Sequence, residues 1–84
     1  MGYFAVIWDL DDDPEGNAQH VAAHDLTKEE VEEVLAAPEG RSKSRSSGLP
    51  LVFGTTSTGR FIAVVFQEID ADTARPVTAY DVEE

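Results

Sequence analysis

Apolar residues occupy both parities of Tyr3-Phe4-Ala5-Val6-Ile7-Trp8. A run this rich in aromatic and β-branched residues, with no polar side, predicts a buried strand. The polar stretch Asp9-Leu10-Asp11-Asp12-Asp13-Pro14-Glu15-Gly16 then leads into a helix. Asp13 as N-cap, Pro14 at the first helical position and acidic residues at the positive end of the dipole set its start. It spans about residues 14–23, weakened by Gly16, with Asn17, His20, Val21 and His24 along one stripe.

A second helix, residues 28–37, carries stronger local signals. The Thr27 hydroxyl can accept from an orphan backbone N–H, and Glu30 completes a capping box. Leu26 and Val31 stand where a hydrophobic staple forms. Val31, Val34 and Leu35 make the inner face, Lys28, Glu29, Glu32 and Glu33 the outer one, and Pro38 ends the run. Between Gly40 and Gly48 there is no apolar residue, so a flexible loop is expected over about residues 39–49. Leu51-Val52-Phe53-Gly54-Thr55 and Arg60-Phe61-Ile62-Ala63-Val64-Val65-Phe66 flank Thr56-Ser57-Thr58-Gly59, a hairpin loop whose glycine can take positive φ. The second arm is apolar on both faces and reads as a central strand. A polar turn follows, and Pro76-Val77-Thr78-Ala79-Tyr80-Asp81-Val82 reads as the last strand, with Pro76 first, where a missing donor is tolerated.

The order is β-α-α-β-β-β. It predicts one α+β domain over residues 1–84, a mostly antiparallel sheet with two helices packed on one face. A chain of 84 residues buries only about 60–65% of its unfolded surface, a thin margin that leaves room for a homodimer. Net charge narrows the function classes further. Seventeen acidic and six basic residues give −11, which repels nucleic acid and anionic membranes. Without cysteine there is no disulfide framework, thiolate metal site or thiol nucleophile. The longest apolar run is too short to cross a bilayer and has no basic flank, so a cytoplasmic location is expected.

Several stretches resemble the BrnT family of bacterial toxins. They are Trp8-Asp9 after the first strand, His24-Asp25-Leu26-Thr27-Lys28-Glu29-Glu30-Val31-Glu32-Glu33-Val34-Leu35, and Gly54-Thr55-Thr56-Ser57-Thr58-Gly59-Arg60 with the strand after it. The resemblance implies a RelE-like fold and a toxin-type protein of a toxin–antitoxin module. It implies an endoribonuclease cutting RNA by 2′-hydroxyl attack, neutralised by a small antitoxin. By position, His24 matches the family histidine as general acid or base and Arg60 the arginine for phosphate. The family asparagine falls on Asn17 or His20. The chain departs from the pattern where Tyr80-Asp81 replaces an arginine-bearing strand end, where Gly48-Leu49-Pro50-Leu51 lacks the arginine opening the hairpin, and where Ala23 replaces a lysine.

RNA cleavage needs cations on the developing phosphorane charge, and few remain. Arg41, Lys43 and Arg45 are the other candidates for a phosphate, with Tyr80 for stacking on a base. The alternative is a non-enzymatic acidic domain on the same fold, binding a basic partner and losing affinity as salt rises. His20 and His24 have the spacing of two metal ligands on one helix face, yet Val-Ala-Ala lies between them and no third ligand is marked. No metal or cofactor is therefore expected. Asp9, Asp11 and Asp13 mimic the start of a calcium loop, but Pro14 stands at its turn glycine, so a helix-capping acidic loop is expected instead.

Overall fold

The most apolar segment becomes the centre of the sheet. In the computed structural model, which describes residues 2–82, the elements are β1 (Ala5–Val6), α1 (Asn17–Ala23), α2 (Lys28–Ala36), β2 (Gly40–Lys43), β3 (Pro50–Thr55), β4 (Phe61–Asp70) and β5 (Thr73–Asp81). They form a five-stranded sheet in the order β1-β5-β4-β3-β2. Only β1 runs parallel to its neighbour, β5; the other pairs are antiparallel. The fold is α+β with both helices on one face, as the sequence predicts.

Side-chain alternation divides β4 between the two faces. Ile62, Val64 and Phe66 join Val52, Ala74 and Ala79 beneath the helices, where they meet Val21, Leu26, Val31, Val34 and Leu35. Burying each large aliphatic or aromatic side chain contributes about 1.5–3 kcal/mol, so this layer carries the fold. α2 starts as predicted. Thr27 accepts from the Glu30 N–H at 3.1 Å, and the Glu30 carboxylate accepts from the Thr27 N–H at 3.0 Å. The staple residues Leu26 and Val31 are both buried.

Four local features differ from the sequence reading, each for a physical reason. β1 is two residues long, not six, and Phe4 is 85% exposed. It lies at the sheet edge, where Tyr3, Val6 and Trp8 reach the core while Phe4 and Ile7 face solvent. α1 begins at Asn17 rather than Pro14. The Asp13 carboxylate takes the Glu15 N–H at 3.0 Å, which makes a turn and not a cap. Gly16 is the N-cap because Asp9 leaves no room there for a side chain.

The third difference is β2. Gly40–Lys43 pairs with β3 inside the segment expected as a loop of residues 39–49. An edge strand needs partners on one side only and no apolar face, so a polar tetrapeptide suffices. The Phe53 ring lies across Gly40 and occupies the space of a side chain. Last, β5 begins at Thr73, which places Pro76 in its interior. The register shifts between Val65–Thr78 and Phe66–Pro76, so an extra residue bulges there and the missing N–H is not needed.

Candidate functional site

The stretch that opens on His24 and the β3–β4 hairpin meet at one corner. α1 ends with Leu26 N–H donating to Val21 O at 3.1 Å and Asp25 N–H donating to Ala22 O at 2.9 Å. This is a Schellman ending, with Asp25 in the left-handed region at φ 63° and Leu26 packed with Val21 in the core. The carbonyls of His24 and Asp25 point out from this turn. The β3–β4 hairpin brings Arg60 to them, with Gly59 at φ 86° before it.

Every nitrogen of the Arg60 guanidinium has a partner. Nε donates to Asp81 Oδ1 at 3.0 Å and Nη2 to Asp81 Oδ2 at 2.6 Å, a bidentate pair. Nη1 donates to Asp25 O at 2.5 Å, and Nη2 reaches His24 O at 3.4 Å. Glu30 Oε1 stands 3.7 Å away. A cation on the exposed carbonyls of a helix end complements the dipole. The arginine thus staples α1, the hairpin and β5 together. A phosphate would have to displace Asp81 to use it.

The His24 ring lies beside Tyr80, centroids 6.5 Å apart and tilted. Both are exposed. His20, one turn earlier, places Nδ1 at 3.3 Å from Val77 O at the bulge of β5. A carbonyl only accepts, so this contact puts the ring proton on Nδ1. His24, Arg60 and Tyr80 therefore converge, with Asp81 among them. Arg41, Lys43 and Arg45 do not join them: they lie on β2 and the turn after it, with two strands between them and β5. Arg41 instead donates to the Tyr3 hydroxyl at 3.2 Å, and that hydroxyl donates to Glu68. Asn17 is buried and holds backbone groups of three segments. Among the described residues, no cluster of three or more His, Asp or Glu could hold a metal ion.

The carboxylates around this corner are held in their ionised forms. The Arg60 guanidinium keeps Asp81 below the usual range. The Thr58 hydroxyl, donating at 2.7 Å, does most to lower Glu30. At the other end of α1, the Asn17 N–H and then Arg75 lower Asp9. A carboxyl whose native pKa is depressed binds fewer protons folded than unfolded, so its stabilisation is present above the unfolded pKa and lost as pH falls through the native one. The urea midpoint is expected to hold above about pH 5 and to decline steadily from about pH 4 downward. Replacing Asp81 by Asn should flatten that decline.

The opposite face of the sheet, missed in the sequence, is the other notable surface. Ser42, Leu51, Phe53, Phe61, Ala63, Tyr80 and Val82 line a shallow depression of about 310 Å³. The Phe53 and Phe61 rings meet edge to face with centroids 5.7 Å apart. Ala63 and Val65 are buried there although no helix covers them, because the larger side chains around them shut out water. The signal was present: a strand apolar at both parities has two faces to cover, and the helices cover one. Among the described residues, no helix is long and apolar enough to cross a membrane. No protein-family model, no curated protein and no solved structure matches this chain.

Proposed function

We propose that this chain is a non-catalytic protein-interaction domain that receives a basic partner on the uncovered face of its sheet. The observation that carries this is the depression walled by Phe53, Phe61 and Tyr80. Contiguous apolar surface with aromatic walls is where partners dock. The charge of −11 selects the partner's sign: it speeds approach of a basic protein and repels acidic ones. In a toxin–antitoxin-like module, the cognate antitoxin is a partner of this kind. To test it, the immobilised chain is used to retrieve a basic protein from its host, which is then purified and titrated. Binding should weaken with salt and fall at least about tenfold when Phe61 and Tyr80 are both replaced by serine. Failure to retrieve a basic protein, or unchanged binding by the variant, removes this function.

A second function, endoribonuclease of the BrnT-like type, is favoured by one observation, the convergence of His24, Tyr80 and Arg60. Against it stands the bidentate hold of Asp81 on the only arginine at that corner among the described residues. Single-stranded RNA that is cut by the purified chain and spared by its His24→Ala variant would decide for the enzyme.

A further inference from the structure

We propose that the outer edge of β2 accepts an extended peptide with alternating acidic and apolar side chains, which adds to the sheet as a sixth strand. β2 is the terminal strand, paired with β3 alone. Ser44 N–H donates to Leu49 O at 2.8 Å, one step beyond the Lys43–Pro50 pair of the same register. Antiparallel ladders alternate, so Gly40, Ser42 and Ser44 turn their backbone groups toward β3. Arg41 and Lys43 turn theirs outward. Pro50 opposite Lys43 fits this register, since that pair exchanges no hydrogen bonds across the ladder.

The outward N–H and C=O groups thus belong to two cationic residues. The ion pairs show why this edge differs from the rest of the surface. Lys28 is paired with Asp11, Arg60 with Asp81 and Arg75 with Asp9. Arg41, Lys43 and Arg45 form no ion pair among the described residues, Arg41 reaching only the Tyr3 hydroxyl, so the positive charge of this acidic protein that is not ion-paired is gathered at one sheet edge. On one side of the edge, Arg41 lines a cleft of about 570 Å³ with Tyr3, Phe4 and the carboxylates Glu68 and Asp72, so Lys43, outside that cleft, is the cation a peptide carboxylate meets first. On the other, Ser42 borders the apolar depression with Leu51 and Phe53. A strand laid along β2 sends alternate side chains to these two sides. Carboxylates would meet Arg41 and Lys43, and apolar side chains would extend the row of Leu51 and Phe53.

A second copy of this chain does not fit the edge. Two β2 strands side by side would oppose Arg41 and Lys43 with the same residues, and facing like charges destabilise a pair. The occupant is an acidic segment of another protein. This edge adjoins the sheet face assigned above at Ser42, but it rests on the outward backbone groups and cations of β2, so neither assignment depends on the other.

The probe is a capped six-residue peptide of alternating Glu and Val, with a Lys-Val peptide as control. The overall charge of −11 attracts the lysine peptide, so preference for the glutamate peptide reports the local edge. By titration at about 0.15 M salt, the Glu-Val peptide should bind at least about tenfold more tightly than the control. Lys43→Pro removes an outward N–H while leaving the bonds of β2 to β3, and should weaken binding about tenfold; Lys43→Gln, which removes charge alone, should cost about threefold. On the unaltered chain, saturating Glu-Val peptide should slow amide exchange at Arg41 and Lys43. Equal or tighter binding of the lysine peptide, absence of binding by either, or unslowed exchange at those two amides overturns the proposal. Should Lys43→Pro fail to fold, the exchange result decides.

Discussion

Phe66→Ala is expected to lower the stability of this domain by about 4 kcal/mol, read as a fall in the urea midpoint at an unchanged slope. Phe66 is fully buried and lies on β4, the middle strand of the sheet. Its ring meets the Tyr3 ring edge to face at 5.0 Å, which ties the N-terminal segment to the sheet. Removing it opens a cavity that rigid strands on either side cannot close, so both the transfer and the cavity costs apply. A domain of this size has roughly 5–10 kcal/mol in total, and the variant loses much of it. Phe66→Leu keeps most of the volume and should cost less than half as much. A loss under about 1 kcal/mol for Phe66→Ala would mean that the core is held elsewhere.

How legible these features are from sequence follows from the range of the interactions. α2 could be read almost to the residue because its cap, staple and apolar stripe are local. The β3–β4 hairpin was legible for the same reason. β2 was not, since a strand of Gly, Arg, Ser and Lys is made by what β3 offers it. β1 was overextended because an apolar run gives no sign that one side will face solvent. The corner with His24 and Arg60 was legible as a pair of motifs and illegible in role. The local sequence shows an arginine after a turn; it does not show that Asp81 and two helix-end carbonyls will fill its donors. The acidic first loop was a partial success. Asp9 does serve a helix start, but it does so through Asn17, eight residues on, and is paired with Arg75 from β5.

Asn17 is the clearest case of a decisive residue whose role is illegible in sequence, which marks only its place on the helix stripe and an ambiguous match to the family asparagine, and Asn17→Asp is the sharpest test of it. The side chain is 2% exposed. Oδ1 accepts from the Asp9 N–H at 2.8 Å, while Nδ2 donates to Ile7 O at 3.0 Å and to Pro76 O at 2.8 Å. The amide thus closes the exit of β1, the start of α1 and the bulge of β5. Aspartate preserves the shape and the acceptor, yet it removes both donors and sets a charge against two carbonyls. Leaving those carbonyls unpaired beside a buried charge should cost about 3 kcal/mol near neutral pH. The new carboxyl is better tolerated protonated, so its native pKa lies above the unfolded one, and its penalty grows as pH rises through that native value. The difference in urea midpoint between Asn17→Asp and the unaltered chain should therefore shrink from about pH 7 to about pH 4.5, even as acid weakens both proteins. Asn17→Ala leaves the same carbonyls unpaired without adding a charge, so its deficit should stay level across that range. A gap for Asn17→Asp that is equally level would show that the new charge is not set against the carbonyls of Ile7 and Pro76, and so that the Nδ2 donors do not join β1 to β5.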